Sequence, residues 1–361
     1  MKFAACELFA FRNVGYALLQ AHPRFNVLWG ENGEGKTNFL EALYLVGTLR
    51  SFRAGRLDEL IKFGEPRAVV RARTEQGGTT RLVEVTVQPG QKLMKVDGKS
   101  LRSTDYRSGV NVVLFAPEDL LLPRGAPSGR RRFLDRAIWN LHPSYLGEAQ
   151  TYERVLKARN ALLRTDQLDM QQLAVYDEQL ARAAVPIVER RRTIVEGLAP
   201  RVAEVVARLL GPSRRFMMRY RSLVDAAEPA AIEATVRAQL AANRPRDRVR
   251  GTTSVGPHHD DLELLLDDRA ASAFASQGQA RALVLSLKIA EIGLVEATLG
   301  EPPVLLLDDV SSELDAERNA QLFSFLAETR CQTFLTTTHP RHVLLQEDRK
   351  DFQVVSGSIA G

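Results

Sequence analysis

The spacing of apolar and polar positions predicts strands near both ends of the chain and helices in its middle. An apolar run at Phe25–Trp29, then glycine, then helically spaced apolar residues at 39–46 predict a strand, a loop and a helix. Alternating or β-branched runs, with an Asp97-Gly98 turn pair between two of them, predict an antiparallel sheet. These runs lie at 68–73, 82–87, 93–96 and 110–115.

The central and C-terminal patterns predict an α/β fold that carries an inserted helical lobe. Helical spacing over 145–240 predicts the lobe, in which Pro200 kinks a helix or makes it restart. A further helical pattern at 279–299 precedes Val304–Leu307, an all-apolar run typical of a buried parallel strand. A helix at Ala316–Glu328, a strand at Thr333–Thr337 and a hairpin centred on Ser356-Gly357 complete the prediction.

Composition limits the class of protein. A length of 361 residues excludes a single small module, and 45% hydrophobic with 26% charged residues is typical of a globular chain. The longest apolar runs are too short for a membrane helix or a signal peptide, so we expect a cytoplasmic protein that does not contact membranes. Two cysteines, Cys6 and Cys331, exclude a disulfide framework and a cysteine-rich zinc site.

Positive charge is concentrated in the middle of the chain. Residues 130–250 hold 23 Lys and Arg against 14 Asp and Glu, within a total net charge of +5. Such an excess could neutralise nucleic-acid phosphates. It could equally be the solvated surface of an arginine-rich protein, and charge alone leaves both interpretations open.

Residues 30–37 match the phosphate-binding pattern G-x-x-x-x-G-K-T between a predicted strand and a predicted helix. Glycines let the loop turn its backbone N–H groups toward a phosphate, and the helix N-terminus adds positive potential. Lys36 would reach the β- and γ-phosphates, and Thr37 would ligate Mg²⁺. The predicted nucleotide-binding residues are Gly30, Glu31, Asn32, Gly33, Glu34, Gly35, Lys36, Thr37 and Asn38.

Two acids follow the apolar run that ends at Leu307. A buried strand that ends in carboxylates needs a cation, so Asp308 is predicted to hold Mg²⁺. Asp309 is predicted to polarise the attacking water in ATP hydrolysis. The alternative, solvated loop acids, loses weight because a phosphate loop is present in the same chain.

A Ser-x-Gly-Gln sequence, Ser276 to Gln279, begins the helix that leads to that strand. Ser276 is a good N-cap, which is a purely structural role. A serine hydroxyl, a glycine N–H and a helix N-terminus also form an anion site. A second phosphate site in one chain suggests a dimer around shared nucleotide.

The order of these motifs resembles the RecF recombination mediator family, whose members have ABC-type P-loop ATPase heads related to those of SMC and Rad50 proteins. The resemblance spans nearly the whole chain and implies an α/β head of mixed sheets and flanking helices at 1–120 and 255–361, with a helical lobe at 121–254. The matching segments are residues 33–42, 50–53, 130–135, 256–258, 260–261 and 276–279, followed by 304–309, 311–315 and 338–339.

The resemblance also implies roles for individual residues. Ser276, Gln277, Gly278 and Gln279 would meet the nucleotide of a second subunit, so that dimerisation depends on ATP. Asp315 would lie in the loop that joins the two sites. His339 would sense the γ-phosphate and join Lys36 and Asp309 in catalysis.

As partners, the resemblance implies duplex DNA near single-strand gaps, RecR, and recombinase loading driven by slow ATP hydrolysis. Arg130, Arg131 and Arg132 are the DNA-contact candidates. Two other classes stay open: a coil-less SMC-like chromosome organiser, and a transporter ATPase subunit, for which the basic lobe has no use.

The chain departs from the family pattern at two places. No clear glutamine occupies the expected Mg²⁺-binding loop near 115–119, and His259 stands where relatives more often have arginine. The run His258 to Asp261 also invites a metal interpretation, which is weak because consecutive residues do not converge easily on one ion.

Overall fold

The computed structural model describes residues 1–103, 105–106, 108–224, 228–309 and 316–360. It divides into two compact units, one made of Met1–Leu121 with Gln277–Gly361 and the other of Leu122–Ser276. The sequence prediction put residues 255–276 with the first unit. In the structure they belong to the second, because a strand at Asp261–Leu266 pairs with one at Phe216–Arg221.

The first unit contains an antiparallel sheet close to the chain's N-terminus. Its strands are β1 (Lys2–Phe11), β2 (Val14–Gln20), β4 (Ala68–Gln76), β5 (Thr79–Gln88), β6 (Gln91–Val96) and β7 (Lys99–Leu101). Their order is β2-β1-β4-β5-β6-β7. Alternate residues such as Leu8, Val70 and Val85 are buried on one face, which confirms the antiparallel sheet expected from the alternating runs. The N-terminal hairpin β1–β2 was not predicted.

A second sheet carries the chemistry. Its strands are β3 (Phe25–Trp29), β8 (Val112–Phe115), β12 (Val304–Leu307), β13 (Thr333–Thr337), β14 (Arg349–Val355) and β15 (Ser358–Ala360). The order is β15-β14-β3-β13-β12-β8, parallel except for the β14–β15 hairpin. The carboxyl ends of its parallel strands therefore meet at one edge, where open α/β sheets bind ligands.

One strand was assigned to the wrong sheet. The run at 110–115 was expected in the antiparallel sheet, but β8 pairs in parallel with β12. All four β8 residues are buried, as in β12, because a parallel strand covered on both faces has no polar side.

Helices cover the second sheet. They are α1 (Lys36–Thr48), α7 (Gln277–Leu299) and α8 (Ala316–Glu328), with short 3-10 turns at Leu57–Leu60, Pro117–Leu121 and Pro340–His342. Helix α1 contacts β1, β4 and β5 of one sheet and β8, β12 and β13 of the other, so it is buried along nearly its whole length. This burial fixes its first residues at the sheet edge.

The second unit is mainly helical, as expected. It contains α2 (Pro127–Leu141), α3 (Tyr145–Leu163), α4 (Met170–Leu210), α5 (Pro229–Arg250) and α6 (Ala271–Phe274), with strands β9 (Phe216–Arg221), β10 (Asp261–Leu266) and β11 (Arg269–Ala270). The strands form a sheet in the order β11-β10-β9, and none of the three was predicted from the sequence.

Helix α4 continues through both Pro186 and Pro200 and does not restart. An interior proline costs about 3 kcal/mol or more. Packing against α3, α5 and β9, with Ile194, Leu198 and Val202 buried around Pro200, offsets this cost.

Across the described residues, no helix combines the length and the apolar character needed to span a bilayer.

Candidate nucleotide-binding site

The loop between β3 and α1 has the backbone that its glycines make possible. Gly33 and Gly35 have φ of 89° and 103°, in the left-handed region that other residues rarely adopt. Gly30 has a φ of 150°, and a Cβ there would lie 2.4 Å from the carbonyl oxygen of Val354. The loop therefore needs glycine for both conformation and space.

Lys36 is the first residue of α1, and its ammonium lies inside the loop. It donates hydrogen bonds to the carbonyl oxygens of Gly30 at 2.6 Å and Glu31 at 2.8 Å. Burial lowers the pKa of Lys36, while the charges of Asp309, Glu31, Asp308 and Glu34 oppose that shift. An ammonium in this position can exchange its carbonyl acceptors for phosphate oxygens.

Thr37 and Asp308 meet at the edge of the sheet. The Thr37 hydroxyl donates to Asp308 Oδ1 at 2.7 Å, and the hydroxyl of Thr336, just beyond the middle of β13, donates to the same oxygen at 2.9 Å. Burial raises the pKa of Asp308, and both hydroxyls oppose that shift. The predicted Mg²⁺ residues are therefore in direct contact.

Thr336 also holds the second acid in place. The backbone N–H of Asp309 donates to its hydroxyl at 2.9 Å, and Asp309 has a φ of 48°. A non-glycine residue at positive φ is uncommon, and Asp309 adopts this conformation two residues after the end of β12. Thr336 was not predicted from the sequence; the available signal was a polar residue within the fully buried strand β13.

A second group of residues missed from the sequence surrounds the start of α1. Glu41, on the second turn of α1, has no exposed side-chain surface and forms ion pairs with Arg12 at 2.8 Å and Arg53 at 3.0 Å. Burial raises the pKa of Glu41, but hydrogen bonds from Arg12 and Ser51 and the positive charges outweigh it, so the pKa is lowered. A cavity of about 460 Å³ beside the loop is lined by Arg12, Asn13, Asn38, Arg53, Glu59 and Ile61.

Comparisons with known proteins agree with this geometry. The sequence model described as RecF/RecN/SMC N terminal domain matches residues 4–356. The DNA replication and repair protein RecF of Anaeromyxobacter sp. (strain Fw109-5) is 49% identical over 347 residues, which are 94% of this chain and 93% of the relative. The chain belongs to the RecF family. RecF of Anaeromyxobacter sp. (strain K) is 46% identical over 100% of this chain and 99% of its own length.

A solved structure supports the same family and the expected fold. The recombination mediator protein RecF-ATPrS in the RecFOR pathway matches with a TM-score of 0.89 at 28% identity, over 99% of this chain and 97% of that chain. The predicted α/β, ABC-type ATPase head with an additional helical unit is therefore confirmed.

His339, which the RecF resemblance implied as a γ-phosphate sensor, follows β13 at the same sheet edge. Its side chain is exposed, its Nδ1 accepts from the N–H of Arg341 at 3.1 Å, and its ring centre lies 6.3 Å from that of Trp29. Its catalytic role stays a prediction.

The residues expected to reach a second RecF subunit lie at the start of α7. Ser276 and Gln277 are exposed, whereas Gly278 and Gln279 are half-buried. Their contact with another subunit's nucleotide stays a prediction. Asp315, the proposed dimer-loop residue, lies outside the described residues.

The segment expected to provide a glutamine carries a buried acid instead. Asp119 accepts from the N–H of Ala116 at 3.2 Å and pairs with Lys288 of α7 at 3.2 Å. Lys288 also pairs with the buried Glu291 at 3.6 Å, so Asp119 belongs to a buried charge network with α7.

The three consecutive arginines do not form one basic patch. The guanidinium of Arg130 is nearly buried, and it donates hydrogen bonds to both carboxylate oxygens of Asp261, at 2.7 and 2.8 Å. Arg131 is half-buried and donates to the carbonyl oxygen of Asp260, while Arg132 is exposed. The DNA assignment is therefore corrected for Arg130, which is committed to an internal ion pair.

The neighbouring histidines have structural partners. His258 Nδ1 lies 2.6 Å from the Tyr152 hydroxyl, and Nε2 of both His258 and His259 lies within 3.1 Å of the Thr253 carbonyl oxygen. Burial lowers the pKa of His258 to about 4, with a smaller contribution from His259. Among the described residues, no three His, Cys, Asp or Glu side chains gather as a metal site.

Proposed function

We propose that this protein binds and hydrolyses ATP and uses the nucleotide to control its binding to DNA in recombinational repair. One observation carries the proposal: the phosphate loop presents Lys36 and Thr37 to the same sheet edge at which Asp308 ends its strand, with Thr37 and Asp308 2.7 Å apart. The ATP-bound state named for a RecF relative supports the same ligand.

Lys36 contacts the β- and γ-phosphates in this proposal, and the cavity between Arg12, Asn38 and Arg53 accepts the rest of the nucleotide. The donors fit Mg²⁺, because a hydroxyl and a carboxylate are hard oxygen ligands, and the buried Asp308 carboxylate accepts hydrogen bonds from two neutral hydroxyls, those of Thr37 and Thr336. Bound there, Mg²⁺ would neutralise charge on the phosphates.

Asp309 orients and deprotonates the attacking water in this proposal. Its backbone is fixed through Thr336, so its carboxylate is placed by β13 as well as by β12. His339 contributes at the γ-phosphate from the end of β13.

The active form that we propose is an ATP-dependent homodimer. Each site combines the phosphate loop of one chain with residues 276–279 of the other, and closure brings the basic surfaces of both chains onto one duplex. We also propose that the protein binds near single-strand gaps, cooperates with RecR and promotes recombinase loading. The name of its RecF relatives, which refers to DNA replication and repair, supports a role of this kind.

Nucleotide binding by the wild type and by Lys36→Met tests the core of the proposal. The variant should lose at least a hundredfold in ADP and ATP affinity, because it removes two charge-assisted hydrogen bonds worth about 1.5–3 kcal/mol each. Sizing with and without ATP, then with gapped duplex, tests the dimer and the DNA steps. Wild-type affinity in Lys36→Met would contradict the site, and a mass unchanged by ATP would contradict the dimer.

A further inference from the structure

The turn of the C-terminal hairpin touches the phosphate loop. Val355 pairs with Ser358, so Ser356 and Gly357 form a two-residue turn, with φ of 48° and 76° as in type I′. The Gly357 N–H donates to the carbonyl oxygen of Glu34 at 2.8 Å, and the Ser356 N–H donates to the Glu34 carboxylate. Two successive backbone donors thus hold one loop residue by its main chain and its side chain.

The strand before the turn supports the other end of the loop. Strand β14 runs parallel to β3, with Gln353 opposite Trp29. The carbonyl oxygen of Val354 lies so near Gly30 that a Cβ there would be 2.4 Å away. The hairpin therefore contacts the phosphate loop at two points, Gly30 and Glu34.

Asn13 lies beside both the hairpin turn and the phosphate loop. Its amide donates to the Glu34 carbonyl oxygen at 3.3 Å. A Cβ on Gly357 would lie 2.9 Å from the Asn13 carbonyl oxygen, which is backbone and cannot swing away. Any side chain at position 357 must therefore displace either the turn, which donates to Glu34 through Ser356 and Gly357, or the backbone of Asn13.

We propose that the hairpin turn is a positioning element of the nucleotide site, and that Glu34 is the positioning residue through which it acts. This inference rests on the proposed function, because it assumes that the loop binds nucleotide phosphates. Backbone N–H groups bind a phosphate tightly only when the loop is already held in the binding conformation. The turn also holds a carboxylate that, if released two residues from Lys36, competes with phosphate for the ammonium.

A second turn in the same unit provides a matched control. Asp97 and Gly98 join β6 to β7 with φ of 50° and 78°, nearly the values at Ser356 and Gly357. A Cβ at Gly98 would meet nothing within 4 Å. Gly98→Ala and Gly357→Ala therefore share the same backbone strain, and they differ in contact with the nucleotide loop.

Titration with fluorescent ADP and ATP measures the difference. We expect Gly357→Ala to bind both nucleotides about tenfold more weakly, the effect of losing one or two hydrogen bonds. Gly98→Ala should stay within about twofold of the wild type. Equal thermal unfolding midpoints of the two apo variants would show that the loss is not a general effect of instability.

A charge-matched pair keeps the proposal testable if Gly357→Ala does not fold. Glu34→Gln and Glu34→Ala both remove the charge, but glutamine retains an oxygen that accepts from Ser356. We expect Glu34→Gln to bind ADP about fivefold more tightly than Glu34→Ala. Equal affinities in this pair would overturn the inference, as would equal losses in Gly98→Ala and Gly357→Ala. Failure of the wild type to bind ADP would instead refute the proposed function.

Discussion

Replacing Glu41 tests whether its buried carboxylate stabilises the first unit and the mouth of the nucleotide cavity. Glu41 has no exposed side-chain surface, and it accepts two hydrogen bonds from Arg12 at 2.8 Å, one from Arg53 at 3.0 Å and one from Ser51. Glu41→Gln keeps the shape but turns an amide N–H₂ toward a guanidinium, so one arginine loses its acceptor.

Breaking a buried ion pair by removing one partner typically costs 3–5 kcal/mol. We expect about 3 kcal/mol, near the lower limit, because Arg12 and Arg53 are 20% and 35% exposed and water can solvate them in the variant. Asp58→Asn is the matched control. Asp58 forms an ion pair with Arg56, and the two side chains are 45% and 77% exposed, respectively. Loss of this ion pair should lower the free energy of unfolding by less than about 1 kcal/mol.

The pH dependence has a definite sign. Since the pKa of Glu41 is lowered from 4.5 by folding, its contribution is complete above about pH 4.5 and is lost as pH falls through the lower pKa of the folded state. Urea unfolding should therefore show a constant difference in the free energy of unfolding between wild type and Glu41→Gln as the pH is lowered from 7. This difference should become smaller only below about pH 4.5. A difference in the free energy of unfolding below about 1 kcal/mol at pH 7 would refute the reasoning. So would a difference that does not decrease at acidic pH.

Four other predictions address the reaction and the partners. Asp309→Asn should bind ATP normally but hydrolyse it at least a hundredfold more slowly and accumulate as a dimer, as sizing and phosphate release would show; normal turnover would exclude Asp309 as the base. Ser276→Arg should bind ATP as a monomer and fail to dimerise, and an ATP-dependent dimer of this variant would contradict the shared site. Arg132→Ala should lower the log–log salt slope of duplex binding by about 0.9, whereas Arg130→Ala should chiefly lower the unfolding midpoint. Chelation of Mg²⁺ should weaken ATP binding by the wild type more than ATP binding by Thr37→Val. An equal loss of affinity in both proteins would show that the Thr37 hydroxyl does not bind the metal.

The sequence predicts those parts of the site whose information is local. The phosphate loop, its strand and its helix are adjacent in the chain, so a pattern of eight residues specifies both conformation and chemistry. Thr336 could not be found this way, because it reaches Asp308 only after β13 pairs with β12. Glu41 was visible as a polar residue in an apolar helix, but its partners depend on how a turn and a distant loop pack against that helix.

The sheet assignment shows the same limit from another direction. Alternation of apolar and polar residues distinguishes a strand that is buried on one face from a strand that is buried on both. The run that contains β8 lacks this alternation, since all four β8 residues are apolar and buried. The pattern was sufficient to separate β8 from the alternating strands before it. Its partner was not predictable, because β8 and β12 are almost two hundred residues apart and no local signal specifies parallel pairing.

The contacts around Lys36 explain why support from outside the loop matters. Its ammonium already donates to two carbonyl oxygens of the loop, and burial lowers its pKa although the charges of Asp309, Glu31, Asp308 and Glu34 oppose that shift. Phosphate oxygens can replace those carbonyls at little cost only if the loop keeps its shape when they leave. Gly30 is held against β14 and Glu34 against the hairpin turn, outside the hydrogen bonds that Lys36 would surrender. The loop's geometry is thus maintained by contacts that do not involve the Lys36 ammonium, as a preformed phosphate site requires.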